Sequence, residues 1–279
     1  MAKKDYIINI RKEQEPFSFQ KVYNSARRVG ASNSLAKEIA LKIEKEKYPG
    51  MTTKEIFRLV KKELKKKEPQ AALKYNLKQG MKRLGPTGFM FEKFIGNILE
   101  RNGYTVHLNQ YIPGAFGNYE IDFLAKKDNL MYIGECKYRK DGGAKIHLET
   151  ALANYARFLD IKNGTFFKKF KNLEVKSYLV TNAKLTEQTI KYSKGVGVEL
   201  LGWNYPRKRG LEYLIDTEKL YPITVLPSLN NYLANIFSEN KLMLAEDVLK
   251  IDIKAFSRRT RVPIEKLEAL AREARILLE

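Results

Sequence analysis

The chain has 279 residues, 44% of them hydrophobic, with 52 Lys and Arg against 32 Asp and Glu, a formal net charge of +20. That length carries one large domain or two to three small ones around a real core, and the surplus of positive charge attracts phosphate polyanions or anionic surfaces. One cysteine, Cys136, excludes an internal disulfide and any multi-cysteine zinc site, and a count of two histidines, His107 and His147, argues against a histidine-based metal site. Surface ion-pair networks of a heat-adapted protein account for many charges, but not for an excess of one sign. No apolar run reaches the roughly 18–20 residues that cross a bilayer. The opening MAKKDYIINIRK has no apolar signal core, so a cytoplasmic protein without a membrane partner is the simplest expectation.

In chain order, DYIINI reads as a strand over 5–10, followed by the turn-rich KEQEPFS. Helices are predicted over 19–29, stopped at Gly30, and over 34–47, stopped by Tyr48-Pro49-Gly50. Thr52 or Thr53 caps a third helix, TKEIFRLVKKELKKK, whose Ile56, Phe57, Val60 and Leu64 fall at helical spacing. A fourth helix covers 69–84, and Gly85-Pro86-Thr87-Gly88 marks a domain boundary. Beyond it come a helix over 89–101, ending at Asn102-Gly103, and strands over 104–108, 119–126 and 130–138. A helix over 146–161, a strand over 175–182, a helix over 185–194 and a strand over 198–203 follow. The order is αβββαβαβ, a mixed α/β layer. From residue 226 the chain is helical again, apart from a break around Arg261-Val262-Pro263. Neither repeats nor low-complexity linkers occur.

Within this frame EIDFLAKKDNLMYIGECKYRK, residues 120 to 140, is unusual, because charges interrupt two strands of a hairpin. Strand alternation turns Glu135 and Lys137 the same way, and Asp122, between Ile121 and Phe123, projects opposite its apolar neighbours. Two carboxylates and an ammonium then converge. Clustered carboxylates suit Mg²⁺, which polarises a phosphodiester and lowers the pKa of a bound water; a neighbouring lysine orients that water and offsets phosphate charge. An isolated E-x-K is more commonly a solvated Glu–Lys pair. Here Glu92, on the preceding amphipathic helix FMFEKF, is placed to approach the same cluster.

GFMFEKFIGNILERNGYTV, then EID, then ECKY, resembles the PD-(D/E)xK nuclease superfamily, nearest to the Mrr-type restriction endonucleases and archaeal Holliday-junction resolvases. The resemblance covers about residues 87–205. It implies a restriction-endonuclease-like αβββαβ core in which Asp122 and Glu135 hold Mg²⁺ or Mn²⁺, Glu92 contributes to the metal from the helix, and Lys137 assists the nucleophilic water. The lead-in PGAFGNYE departs from the family's pattern, and Glu120 is a rival ligand. Cys136 reads as a small core residue. His147 and Glu149 have either a DNA or metal contact or a solvent role, and Tyr155 and Arg157 face either the scissile phosphate or the core.

The pattern EPFSFQKV, GMTTKEIFRLV, AALKYNLK resembles the ATP-cone, a mainly helical nucleotide-binding regulatory module, over about residues 5–84. By position, Ile7, Glu15, Lys21 and Thr53 match residues lining that family's pocket for ATP or dATP. The family's basic pair falls at Asn9 and Ile10 here; either Arg11 and Lys12 replace it through a shifted hairpin, or nucleotide affinity is lost and the module serves packing or dimerisation. LMLAEDVLKIDIKAFSRRTRVPIEKLEALAREARILLE resembles the second half of a helix-hairpin-helix domain, without its usual glycine, with Arg258, Arg259 and Arg261 supplying charge to DNA phosphates; a plain helical pair is the other reading. The expectation is an α/β protein with a cone over 1–85, a nuclease domain over 86–226 and a helical tail over 227–279. It would be a Mg²⁺-dependent endonuclease acting on duplex or branched DNA, modulated by nucleotide and acting as a homodimer. The alternative is a non-catalytic, nucleotide-sensing DNA-binding protein on the same scaffold.

Overall fold

Asn9 shapes the beginning of the fold. Its side-chain oxygen accepts from the amides of Arg11 at 2.9 Å and Glu13 at 3.1 Å. The resulting turn, with Lys12 at a left-handed φ of 65°, reverses β1 (Tyr6–Ile8) into β2 (Gln14–Pro16). The strand expected over 5–10 therefore stops at Ile8, because an asparagine that satisfies two turn amides competes with strand pairing. The computed structural model describes residues 6–84, 89–141, 143–170 and 172–279. The boundary expected at 85–88 lies outside the described residues, as does Asp5.

Ser18 caps α1 (Phe19–Arg28) and Ser32 caps α2 (Asn33–Glu46). β3 (Met51–Thr52) then pairs parallel to β1, giving a small sheet of order β2-β1-β3. Of the two candidate caps for α3 (Thr53–Lys67), Thr52 is the one used. It makes a capping box in which its hydroxyl accepts from the Glu55 amide while Glu55 reaches back to the Thr52 amide at 2.8 Å. The helix expected over 69–84 is two, α4 (Pro69–Lys74) and α5 (Leu77–Lys82). At the break Asn76 donates its side-chain amide to the Val225 carbonyl at 3.3 Å, a partner distant in sequence. Ile7, Val22, Ala26, Leu35, Ile39, Val60 and Leu64 close the core of this part.

α6 (Phe89–Arg101) buries Phe91, Phe94, Ile95 and Ile98 at helical spacing. β4 (Thr105–Pro113), β5 (Asn118–Lys127) and β6 (Leu130–Lys137) follow as an antiparallel meander. After the short β7 (Lys145–Ile146), α7 (Leu148–Asn163) crosses back to β8 (Glu174–Thr181), which runs parallel to β6. β9 (Lys184–Leu185) pairs parallel to β7, a two-stranded addition outside the sequence expectation. α8 (Glu187–Val196) and β10 (Glu199–Leu201) complete a five-stranded sheet of order β10-β8-β6-β5-β4. Gly134 in β6 is required by packing: a Cβ there would stand 2.0 Å from the Phe123 ring. α9 (Leu211–Thr217), α10 (Asn231–Glu239) and α11 (Asp247–Lys250) follow, then α12 (Ile253–Thr260) and α13 (Ile264–Leu278). Arg261 separates the last two, at a left-handed φ of 59°.

The chain packs as two units, and the molecule is mixed α/β. The first unit contains residues up to Lys78, together with Val225–Leu229 and Ile251–Glu279; the second contains Gln79–Thr224 and Asn230–Lys250. The stretch grouped from sequence as one tail over 227–279 is thus divided between them. α13 packs against α4 inside the first unit. Among the described residues no helix is long and apolar enough to cross a membrane.

Candidate active site

Glu135 is 5% exposed near the end of β6, yet both its oxygens are satisfied. Lys137 Nζ donates to Oε1, and Arg157 Nη1, from α7, donates to Oε2 at 2.5 Å. α7 is located by a buried bond from the Asn154 side-chain amide to Ser177 Oγ of β8, 2.8 Å long; this anchor brings Arg157, three residues on, to the sheet. Asp122, on β5, accepts from the Cys136 amide at 2.6 Å. Thr181 Oγ1 donates to the Lys137 carbonyl at 2.5 Å, and Asn182 bonds both the amide and the carbonyl of Arg139. The end of β6 that carries the E-x-K residues is therefore fixed on its β8 side.

Electrostatics tie Glu92 to this group. Burial, and then the charges of Asp122, Glu120 and Glu135, push the Glu92 carboxyl up to about 7. Burial and the Glu135 charge push Asp122 up to about 6, against the lowering effect of its bond from Cys136. Burial and neighbouring like charge together favour a cation beside such carboxylates. In the present arrangement Lys137 and Arg157 supply that positive charge. No group of three or more His, Cys, Asp or Glu side chains that could hold a metal ion occurs among the described residues. The donor set fits a hard oxygen-seeking cation in its chemistry, while the geometry is closed by the two basic side chains.

The remaining residues singled out from sequence divide clearly. Glu120 accepts from the Tyr111 hydroxyl at 3.3 Å. Cys136 is buried and its thiol is pushed well up by that burial, the condition of an inert core residue. Tyr155 packs against Phe158 and Tyr192, with ring centroids 6.3 and 6.1 Å away. His147 occupies the N-cap of α7 without a side-chain capping bond, and Glu149 lies in the first turn. Arg157, for which the sequence leaves two readings open, holds a carboxylate of the cluster. Asp160 escaped the sequence reading, although its spacing of three from Arg157 puts both on one face of α7.

In the first unit, Ile7, Glu15, Lys21 and Thr53 line a single cleft of about 110 Å³, with Lys21 Nζ 3.3 Å from Glu15 Oε1. Ligand pockets usually hold about 300–1,000 Å³, so this cleft is small. Arg11 and Lys12 are not among its lining residues; both are exposed in the turn that Asn9 builds. Arg258, Arg259 and Arg261 are exposed, and Arg259 lies 5.4 Å from the centroid of the Phe256 ring.

No family model matches the chain. An uncharacterized protein of the archaeon Archaeoglobus fulgidus is 35% identical over 132 residues, which span 47% of this chain and 71% of that protein. The chain belongs to the family of that archaeal protein. A crystal structure of a protein of unknown function, AF1548, is similar as well, with a TM-score of 0.59 and 28% identity; the match covers 68% of this chain and 97% of the other. The mixed α/β architecture thus recurs in a solved member of this likeness.

Proposed function

We propose that the second unit is a metal-dependent DNA endonuclease of the PD-(D/E)xK kind, and that the cleft of the first unit takes ATP or dATP to modulate it. The observation that carries the reading is the cluster itself. Asp122, Glu135 and Lys137, from adjacent strands, share one electrostatic site with Glu92 from the preceding helix. The element order α6-β4-β5-β6-α7-β8 supports a restriction-endonuclease-like core. Carboxyls raised by burial and by neighbouring charge within one cluster are candidates for a functional site.

In this reading Asp122 and Glu135 would hold Mg²⁺ or Mn²⁺, with Glu92 in support. When bound, the ion polarises the phosphodiester and lowers the pKa of water. Lys137 orients the attacking water and offsets charge developing on the phosphate. Arg157 holds the Glu135 carboxylate in position. Two copies as a homodimer would cut both strands of a duplex. A second reading, a nucleotide-sensing DNA-binding protein without catalysis, is favoured by one observation: both oxygens of Glu135 are already engaged by Lys137 and Arg157.

The test is cleavage of labelled duplex, single-stranded and branched DNA with Mg²⁺, Mn²⁺ or EDTA, with and without ATP or dATP. Metal-dependent cutting is expected, reduced at least a hundredfold in Glu135→Gln and Lys137→Ala. Equal cutting by these variants sinks the assignment. DNA binding that responds to nucleotide, with no cutting under any metal, moves the protein to the second reading.

A further inference from the structure

Phe116 is 96% exposed at the tip of the β4–β5 hairpin, in the PGAFGNYE segment. Single exposed apolar side chains are ordinary on protein surfaces. The backbone beneath this one is not ordinary. Asp160, near the end of α7, receives the Phe116 amide on both carboxylate oxygens at 3.1 Å and the Gly117 amide on Oδ2 at 3.1 Å. The Ala115 amide donates to the Asp160 carbonyl at 3.0 Å, and the Gly114 amide to the Gly117 carbonyl at 2.6 Å. Asp160 also pushes the pKa of the neighbouring Tyr119 hydroxyl up.

The approach is so close that a side chain at either of two glycines would force its neighbours to shift. A Cβ on Gly114 would meet Asp160 Oδ2 at 2.2 Å, and one on Gly164 would meet the Gly114 backbone at 2.8 Å. An aromatic ring is thus presented to solvent on a tip fastened by charge-assisted bonds, with much of the ordering cost of binding already met in the free protein. One turn of α7 separates Asp160 from Arg157, which holds Glu135. The same helix therefore positions both the ring and the carboxylate cluster. Two ladder pairs back from the tip, Tyr111, 74% exposed, stands opposite Glu120, whose charge reaches Glu92.

We propose that Phe116 is a stacking platform for an unpaired nucleobase, so that the carboxylate site takes DNA offering such a base, as at an overhang or bulge, in preference to uninterrupted duplex. The proposal rests on the endonuclease reading. An aromatic face stacks on any base without sequence preference, and a ring on a rigid tip can take the place of a displaced neighbour in the base stack. The +20 charge of the chain provides attraction for the backbone.

The experiment uses the full chain in EDTA, so that cutting plays no part, with a duplex carrying 2-aminopurine in a short overhang and a fully paired duplex beside it. The parent and Phe116→Trp quench the 2-aminopurine on binding. Phe116→Ala binds the overhang duplex about tenfold more weakly, without quenching, and binds the paired duplex as the parent does. Asp160→Ala, which frees the tip, falls between. Equal quenching by Phe116→Ala, equal loss on both duplexes, absence of DNA binding, or a Phe116→Ala variant whose main change is dissociation of a dimer would each overturn the proposal. Stacking without cutting under any metal would retire the endonuclease reading while leaving the platform standing. Cutting without quenching would do the reverse.

Discussion

Three acidic side chains near the end of the β5–β6 hairpin solve the problem of burial differently. Glu135 is paired with both Lys137 and Arg157. Asp122 takes a single backbone amide. Among the described residues Glu92 has neither, and burial together with the charges of Asp122, Glu120 and Glu135 pushes it up to about 7 from an ordinary 4.5. A carboxyl raised in the folded state costs stability as pH rises: between about 4.5 and 7 the unfolded chain has released the proton that the folded chain still holds. Above 7 the penalty is constant, and below 4.5 it vanishes. Glu92→Gln should therefore raise the thermal midpoint at pH 8 in EDTA by a few degrees, about 1 kcal/mol once solvent screening at this half-buried site is allowed for. At pH 4 it should change nothing. Melting curves at the two pH values decide; an equal shift at both would mean that repulsion is not the cause.

At the scale of elements, α3 shows how much one cap contributes. Thr52 accepts the Glu55 amide at 3.2 Å and also donates its hydroxyl to Glu55 at 2.7 Å. Thr52→Ala should cost about 1 kcal/mol and lower the melting midpoint by about 2–4 °C, whereas Thr52→Ser should restore most of it; an Ala variant as stable as the parent would refute the cap. The cap is legible in the sequence because Thr-x-x-Glu before an apolar helical stripe is a purely local signal. So are α6, β5 and β6, whose periodicities need no distant partner; β4, expected to stop at 108, runs on to Pro113. The division between α4 and α5 is not, since Asn76 bonds Val225 far along the chain. β7 and β9 escape notice because two-residue strands have no period to detect. Within the site, E-x-K and the preceding Asp stand out as charges in apolar strands. Asp160 does not, because its partners are backbone amides of another hairpin, and an acid near the end of a helix looks like an ordinary surface residue.

For the whole molecule, net charge governs association. With 52 basic against 32 acidic side chains, binding to DNA should release many counterions. Affinity for duplex DNA in EDTA is expected to drop by about 10³ or more between 50 and 200 mM salt. A flat salt response, measured by anisotropy, would remove nucleic acid from the list of partners.

Connectivity adds a constraint of another kind. The first unit is built from sequence on both sides of the second, with Leu267, Leu270, Ala274 and Leu277 of α13 buried. A ribosome making roughly 5–20 residues per second delivers α13 some 10–40 seconds after α4, the helix it covers. Throughout that interval the N-terminal residues wait with an apolar face unclosed, while Gln79–Thr224 is already long enough to fold. Birth order and chain order are thus reversed: the unit begun first is the one finished last.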